Sequence, residues 1–378
     1  MKNNPLKQLE RLGQSIWLDY IRRDLIASGE LLRLIKEDGL SGMTSNPAIF
    51  EKAITGSHDY DGDIQAMAHE GKDTKKIYEA ITQRDVQSAA DAFRPLYNET
   101  DGKDGYVSLE VNPHLAHDTN GTMEEARRLW ADLGRPNILI KVPGTAEGLP
   151  AIQQLISEGI NVNVTLLFGL PRYRQVAEAY IAGLDARRSL GKAVDHVASV
   201  ASFFVSRIDA HVDPLLAANL AQGGGVAMLA REAQGQVAVA SAKLAYLAFK
   251  EIFESPGFLE LAKAGARVQR LLWASTGTKN TAYSDGKYIE TLIGPDTVNT
   301  IPVGTLNAFR DHGVATTSLD TDVTKAARVM SHLLGLGINI DQVTQRLEDE
   351  GVEKFNKPFD TLMAALTQRS REVPHEHG

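Results

Sequence analysis

A lysine at the end of an apolar run is the first residue whose position suggests chemistry. In "NILIKVPGT" (137–145), Lys141 follows residues typical of a buried strand, and Pro143-Gly144 ends the run. A lysine is a nucleophile only as the free amine, which is scarce at neutral pH because the ordinary pKa is about 10.4. Withdrawal from water favours the neutral form. A dry strand end therefore suits a lysine that condenses with a ketone carbonyl to give a Schiff base.

Further polar side chains stand near the ends of other predicted strands, where a parallel barrel gathers its chemistry. They are Asp19, Thr44, Asn46, Glu110, Asn163, Thr165, Ser202, Arg207, Ser275 and Lys279.

These residue types match the needs of Schiff-base chemistry on a sugar phosphate. Glu110 could supply the proton that lets the carbinolamine lose water, through a water held by Thr165, and Asp19 could act as the base for the β-hydroxyl. A substrate phosphate needs cations and hydroxyl donors, and Arg207, Ser275 and Lys279 are the candidates; the first offers fork geometry and the last a point charge.

Several of these side chains also have an ordinary structural interpretation. Asp19 could cap the next helix and Asn46 could serve its own turn. Asn161, Asn163 and Thr165 could satisfy one another in a polar layer of the barrel interior. Arg207 could pair with the neighbouring Asp209 at the rim. The convergence of all these groups on one mouth favours the catalytic interpretation.

The elements that must position these residues alternate between strand and helix along the chain. We predict strands at 15–20, 39–47, 106–112, 137–143, 161–168, 196–205, 268–275 and 300–305. Eight strands that alternate with helices indicate a parallel, closed α/β structure, the TIM (β/α)8 barrel. We expect one domain over residues 1–378, with helical insertions at about 48–105 and 210–266 and C-terminal helices from about 321. The final "PHEHG" is expected to be a tail.

Composition excludes several classes of function. The formal charge of −8 disfavours nucleic-acid binding, and the chain of 378 residues has no cysteine, so thiolate chemistry and Cys-based metal sites are excluded. No dinucleotide fingerprint and no Walker loop is present, and no cofactor or metal is expected. The start lacks a signal peptide and no apolar run could span a bilayer, which predicts a cytoplasmic protein without membrane contact.

Six segments together resemble the transaldolase family, in the longer bacterial subgroup. They are "IWLDY", "GMTSNPAIF", "SLEVNP", "ILIKVPGTAEGLPAI", "NVNVTLLF" and "FFVSRID". The resemblance implies a Schiff-base barrel that moves a dihydroxyacetone unit from fructose 6-phosphate or sedoheptulose 7-phosphate to erythrose 4-phosphate or glyceraldehyde 3-phosphate, in the pentose phosphate pathway.

The resemblance also implies roles residue by residue. Lys141 matches the Schiff-base lysine, Asp19 the acid/base, and Glu110 with Thr165 the pair that handles the water. The positions that match substrate ligands are Asn46, Asn163, Ser202, Phe204, Arg207 and Ser275, with Thr44 beside them. After the seventh strand the compact family form has an arginine where "ASTGTKN" offers Lys279, so the second phosphate cation stays open.

Two other functions remain open at this stage. A fructose-6-phosphate aldolase-like enzyme would use the same lysine without passing the unit on, but related aldolases carry a tyrosine where this chain has Glu110. A non-catalytic sugar-phosphate-binding barrel would have no need for lysine, glutamate and aspartate together. The sequence does not indicate an oligomeric state.

Overall fold

The computed structural model describes residues 4–371, and the terminal "PHEHG" lies outside them. Within this range eight parallel strands follow one another around a closed barrel, and the first strand pairs with the eighth. The predicted TIM barrel is therefore confirmed. The strands are β1 (Gln14–Asp19), β2 (Leu40–Thr44), β3 (Tyr106–Glu110), β4 (Ile138–Pro143), β5 (Val162–Leu167), β6 (Ser199–Phe204), β7 (Arg270–Ala274) and β8 (Thr297–Ile301).

Helices cover the outside of the barrel and follow each strand. In the part of the chain that the structure describes they are α1 (Pro5–Arg11), α2 (Arg23–Ala27), α3 (Glu30–Arg33), α4 (Pro47–Thr55), α5 (Asp61–His69), α6 (Thr74–Glu99), α7 (Thr119–Leu133), α8 (Gly148–Glu158), α9 (Leu170–Ser189), α10 (Ser206–Leu220), α11 (Gly224–Ala233), α12 (Val237–Phe253), α13 (Pro256–Ala262), α14 (Lys287–Glu290), α15 (Val303–His312), α16 (Val323–Gly335) and α17 (Ile340–Arg371).

Strand β4 shows why an apolar run with one lysine folds as a barrel strand. All six of its residues are buried, because helices cover one face and the barrel interior encloses the other. Side chains alternate between these faces, so Lys141 points inward while Ile140 and Val142 pack under the helices. In the parallel register Lys141 lies beside Glu110 of β3 and Asn163 of β5. Register therefore brings three of the predicted site residues into one row.

The eighth strand lies three residues earlier than predicted. We expected it at 300–305, but β8 is Thr297–Ile301 and α15 begins at Val303. Pro302 has no N–H for the strand ladder and its fixed φ suits the turn into a helix, so it ends the strand. The start was missed because Thr297 and Asn299 are polar, although both are fully buried.

The longest connections between strands are built from helices. Helices α4, α5 and α6 connect β2 to β3, and α10 to α13 connect β6 to β7. After β8, the 32-residue α17 packs against α4, α5, α6 and α10 and against β5. It therefore lies over the end of the barrel at which the strands finish, which we call the mouth. No helix within residues 4–371 is both long enough and apolar enough to cross a membrane.

Candidate active site

Lys141 lies inside the barrel close to the mouth and is 4% exposed. Its Nζ donates a hydrogen bond to the carbonyl oxygen of Ser45 over 3.1 Å and stands 3.4 Å from Oε2 of Glu110. The ring of Phe355, from α17, covers the amine with its centroid 5.4 Å from Nζ. The amine is therefore held between an acid and an aromatic ring, out of bulk water.

Glu110 is the last residue of β3, and the strand register pairs it directly with Lys141 of β4. Burial of the carboxyl raises its pKa to about 7, although the charge of Lys141 opposes the shift. Neither carboxyl oxygen has a hydrogen-bond partner among the described residues, and the same holds for the buried hydroxyl of Thr165. A carboxyl with its pKa raised in this way can both give and take a proton near neutral pH.

Asp19 ends β1 on the opposite side of the interior. Thr44 Oγ1 donates to its Oδ1 over 2.7 Å, and Thr44 Oγ1 is also 2.7 Å from Thr300 Oγ1 of β8. Burial raises the pKa of Asp19, while the nearby charges of Lys141 and Arg207 act against that shift. Asp19 does not cap the next helix, because the N-cap of α2 is a later residue without a side-chain cap.

A chain of hydrogen bonds crosses the interior below the lysine. Ser202 Oγ donates to Oδ1 of Asn163 over 2.7 Å, and Asn163 Nδ2 donates to Ser108 Oγ over 3.0 Å. Asn163 is thereby oriented by Ser108 of β3 and Ser202 of β6. It does not bond to Thr165, so the structural interpretation given for this pair does not hold. The bonds fix which end of the amide faces each neighbour, so this layer has a defined pattern of donors and acceptors.

Cations and hydroxyl groups gather where β6 and β7 end. Arg207 is the second residue of α10; its guanidinium carbon lies 5.1 Å from the ring centroid of Phe204, and its Nη1 is buried without a partner among residues 4–371. Ser275 Oγ is 3.1 Å from Ser206 Oγ, at the first residue of the same helix. Lys279 is exposed on the loop after β7.

Asp209 does not pair with Arg207, because Asp209 binds Lys287.

Asn46 has a structural task of its own. Its Oδ1 accepts a hydrogen bond from the N–H of Ile49 over 3.0 Å, so it is the N-cap of α4. The structural interpretation of Asn46 therefore holds, with a helix cap in place of a turn. Capping by the oxygen leaves its amide nitrogen as the group that could serve a substrate.

Three contacts at the site had no usable signal in the sequence. Ser45 acts through its backbone carbonyl, which no residue pattern reveals. Thr300 fell at the start of the misplaced eighth strand. Phe355 is one apolar residue of an amphipathic helix more than two hundred positions from Lys141, and only the docking of α17 brings them together.

Histidines close to the third strand end do not form a metal centre. His114 Nε2 lies 2.7 Å from Asp360 Oδ1, and His117 Nδ1 lies 3.1 Å from Glu147 Oε2. Across residues 4–371 no group of three or more potential metal-ligating side chains comes together.

Comparison with known proteins points to one family. The family model described as transaldolase/fructose-6-phosphate aldolase matches residues 16–366. The chain is 48% identical over 377 residues to a transaldolase of Trichodesmium erythraeum, a match that covers 99% of each protein. It is 48% identical to transaldolase 2 of Nostoc punctiforme, over 98% of each. It is 47% identical to a transaldolase of Thiobacillus denitrificans, over 96% of this chain and 99% of that protein.

Proposed function

The chain belongs to the transaldolase/fructose-6-phosphate aldolase family, and we propose that it transfers a dihydroxyacetone unit between phosphorylated sugars through a Schiff base on Lys141. The donor is a ketose phosphate, fructose 6-phosphate or sedoheptulose 7-phosphate. The acceptor is an aldose phosphate, erythrose 4-phosphate or glyceraldehyde 3-phosphate. This assigns the enzyme to the pentose phosphate pathway, in the cytoplasm. The observation that carries the proposal is the buried Lys141 amine 3.4 Å from a carboxyl whose pKa is about 7.

The first half-reaction joins the ketose to the enzyme. The Lys141 amine attacks the ketone carbon and forms a carbinolamine. Glu110 donates a proton to the departing hydroxyl, water leaves, and a protonated Schiff base remains. A raised pKa supports this role, because an ordinary glutamate would have almost no proton to give at neutral pH. The unpartnered Thr165 hydroxyl supports its assignment as the group that orients this water.

The second half-reaction breaks and remakes one carbon–carbon bond. Asp19 takes the proton of the β-hydroxyl, which stands on the far carbon of the scissile bond and becomes the aldehyde oxygen of the departing aldose. The bond breaks, its electron pair moves into the iminium to give an enamine, and the aldose leaves. The enamine then adds to the carbonyl carbon of the acceptor while Asp19 returns the proton. Water finally hydrolyses the new Schiff base, Glu110 takes back its proton, and the product ketose leaves the free Lys141 amine. The bond from Thr44 to Asp19 supports this role, since it orients the carboxylate.

The remaining assigned residues bind the substrate. Four polar side chains face the sugar hydroxyls, namely Asn163, Ser202, Thr44 and Asn46. The ring of Phe204 borders the pocket. Arg207, Ser275 and Lys279 bind the phosphate. The buried Nη1 of Arg207 supports this, because a guanidinium nitrogen without a protein partner is ready to donate to a phosphate oxygen. Lys279 as the second phosphate cation is part of the proposal.

Borohydride reduction in the presence of fructose 6-phosphate tests the proposal directly. We expect an adduct that maps to Lys141, and we expect Lys141→Met to give no adduct and to lose more than about a thousandfold in turnover, as removal of a nucleophile does. Lys243→Met is the matched control: this lysine is 7% exposed and donates to two backbone carbonyls elsewhere in the molecule. An adduct that persists in Lys141→Met would refute the assignment.

Acceptor dependence separates a transaldolase from an aldolase. We expect release of glyceraldehyde 3-phosphate from fructose 6-phosphate to depend strongly on added erythrose 4-phosphate. Equal rates with and without the acceptor would favour an aldolase. Substrate binding with no adduct and no release would favour a sugar-phosphate-binding barrel.

A further inference from the structure

The loop after β7 carries two of the three groups proposed to bind phosphate, and it has no regular structure of its own. Ser275 begins the loop at a φ of +53°, and Lys279 follows it. Within the loop, Thr278 Oγ1 donates a hydrogen bond to the carbonyl oxygen of Ser284 over 2.9 Å. The position of Lys279 relative to Arg207 of α10 therefore depends on what holds this loop against α10.

Lys287, the first residue of α14 at the end of this loop, makes an ionic contact with α10. Its Nζ is 2.8 Å from Oδ2 of Asp209 in the first turn of α10, and the side chains are 11% and 2% exposed. The ammonium also lies 3.7 Å from the ring centroid of Tyr283 and 4.8 Å from that of Tyr288. An ammonium over aromatic faces and beside a carboxylate out of water is held by charge in a defined place.

Both carboxylate oxygens of Asp209 are engaged within this network. Its Oδ1 accepts a hydrogen bond from the N–H of Ala238 at the start of α12, and its Oδ2 accepts a bond from Tyr288 Oη; both distances are 2.8 Å. With Lys287 this makes three donors on one buried carboxylate. Asp209 stands two residues after Arg207, so the same turn of helix presents one side chain to the mouth and the other to this network.

A second contact fixes the loop one helical turn further along α10. Tyr283 Oη donates to Oδ2 of Asp213 over 2.6 Å, and the N–H of Gly235 donates to Oδ1 over 2.8 Å. Gly235 has a φ of +66°, and a Cβ there would lie 2.6 Å from Tyr283 Oη. A side chain at residue 235 would therefore displace the tyrosine. Together with the contact between Ser275 and Ser206, these bonds attach the loop and the start of α14 to α10 at three points, so the loop cannot rotate about any one of them.

We infer that Lys287 is a positioning residue for phosphate recognition: through Asp209 and the two tyrosines it holds the part of the loop that carries Lys279 at a fixed distance from Arg207, whereas Ser275 is held directly by Ser206. Lys287 itself does not contact substrate, because its ammonium is engaged and shielded. The inference rests on the proposed function, since it concerns how that enzyme recognises the phosphate of its substrates. It predicts an effect on phosphorylated substrates that is absent for a substrate without phosphate.

Lys287→Met tests the inference, since it keeps an unbranched side chain and removes the charge. We expect KM for fructose 6-phosphate to rise about tenfold, in the range found for coupled neighbours. Borohydride trapping of dihydroxyacetone, which has no phosphate, should occur on Lys141 at the rate of the parent enzyme. Lys287→Arg restores a cation opposite Asp209 and should recover most of the lost affinity.

Two further variants separate positioning from general loss of stability. Lys243→Met removes another buried lysine, one that binds the carbonyl oxygens of Ser318 and Thr321, and it should leave KM unchanged. Tyr283→Phe removes the bond to Asp213 and keeps the ring, so a smaller rise in KM is expected. It also provides the test if Lys287→Met does not fold.

A double-mutant cycle shows whether Lys287 acts through Lys279. Lys279→Met alone should raise KM for fructose 6-phosphate, and the same change in the Lys287→Met background should raise it less, because the loop is already displaced. An unchanged KM in Lys287→Met, or an equal loss of trapping with dihydroxyacetone, would overturn the inference. Failure of the parent enzyme to trap either ketose would instead overturn the proposed function.

Discussion

At the scale of single residues, Glu110 decides how the site responds to pH. Burial against β4 raises its pKa to about 7, so it passes from mostly protonated at pH 6 to mostly ionised at pH 8. Its Oε2 lies 3.4 Å from Nζ of Lys141. A proton can therefore pass from this carboxyl to a hydroxyl group on the carbon that is bonded to Nζ. The protonated carboxyl is the form that can expel water from a carbinolamine. We therefore expect the acid function proposed for Glu110 to be present below pH 7 and to fade above it.

Glu110→Gln isolates this dependence. We expect the rate of Schiff-base formation at pH 6 to fall by about 10² to 10⁴, the usual contribution of a general acid. The ratio of the parent rate to the variant rate should decline about tenfold for each pH unit above 7, since titrations common to both proteins cancel. The measurement is single-turnover trapping from pH 5.5 to 9.

Glu348→Gln is the control, because burial also raises the pKa of Glu348 but its partner is Arg172, on the outer layer. A flat ratio for Glu110→Gln across this range would remove Glu110 as the acid.

At the scale of secondary structure, α17 completes the site from outside the barrel. Phe355 lies over the amine of Lys141. Gly351, one turn earlier, lets the helix approach β5: a Cβ there would come within 2.9 Å of Leu166 Cδ2. Leu166 has a φ of +63° where the register between β5 and β6 shifts, a bulge beside the mouth. In the proposed mechanism the helix thus keeps water from the enamine on Lys141, which would otherwise be protonated and hydrolysed before the acceptor arrives.

Phe355→Ala should increase the release of free dihydroxyacetone relative to its transfer. Loss of this buried ring should also lower the free energy of unfolding by about 3 kcal/mol. Phe359→Ala is the matched control, because Phe359 is buried on the same helix but packs on Tyr78 and His114, away from the amine. It should cost similar stability and leave the partition between release and transfer unchanged. An equal partition in both variants would show that the ring over Lys141 does not exclude water.

At the scale of the whole molecule, closure of the barrel connects every part of the site. Asp19 on β1 and Arg207 after β6 face the same interior because β1 pairs with both β2 and β8. Helix α17 then joins the helices that follow β2 to those that follow β6. No strand edge remains within residues 4–371, so no part of the sheet can separate without breaking its ladder. A single domain, which stays a prediction, is the organisation expected of such a chain.

Unfolding in urea tests this organisation. Trp17 lies fully buried inside the barrel, Trp273 lies on β7, and Trp130 lies on the outer helix α7. Fluorescence thus reports mainly on strands, with two of the three tryptophans there, and far-UV circular dichroism reports mainly on helices. If the chain is one cooperative unit, both signals should follow one transition with one midpoint. Two separated midpoints would show that part of the helical layer unfolds alone.

The sequence by itself determined the number and order of the strands, the barrel, and the set of polar residues at the strand ends, because burial on two faces and strand–helix alternation leave periodic patterns along the chain. Lys141, Glu110 and Asp19 could be named for that reason. Only the tertiary structure decided that the Glu110 carboxyl stands 3.4 Å from the amine, that Phe355 covers it, and that Lys287 holds Asp209. These contacts join side chains from elements far apart in the chain. Their geometry follows from barrel register and helix docking, which no local pattern of residues records.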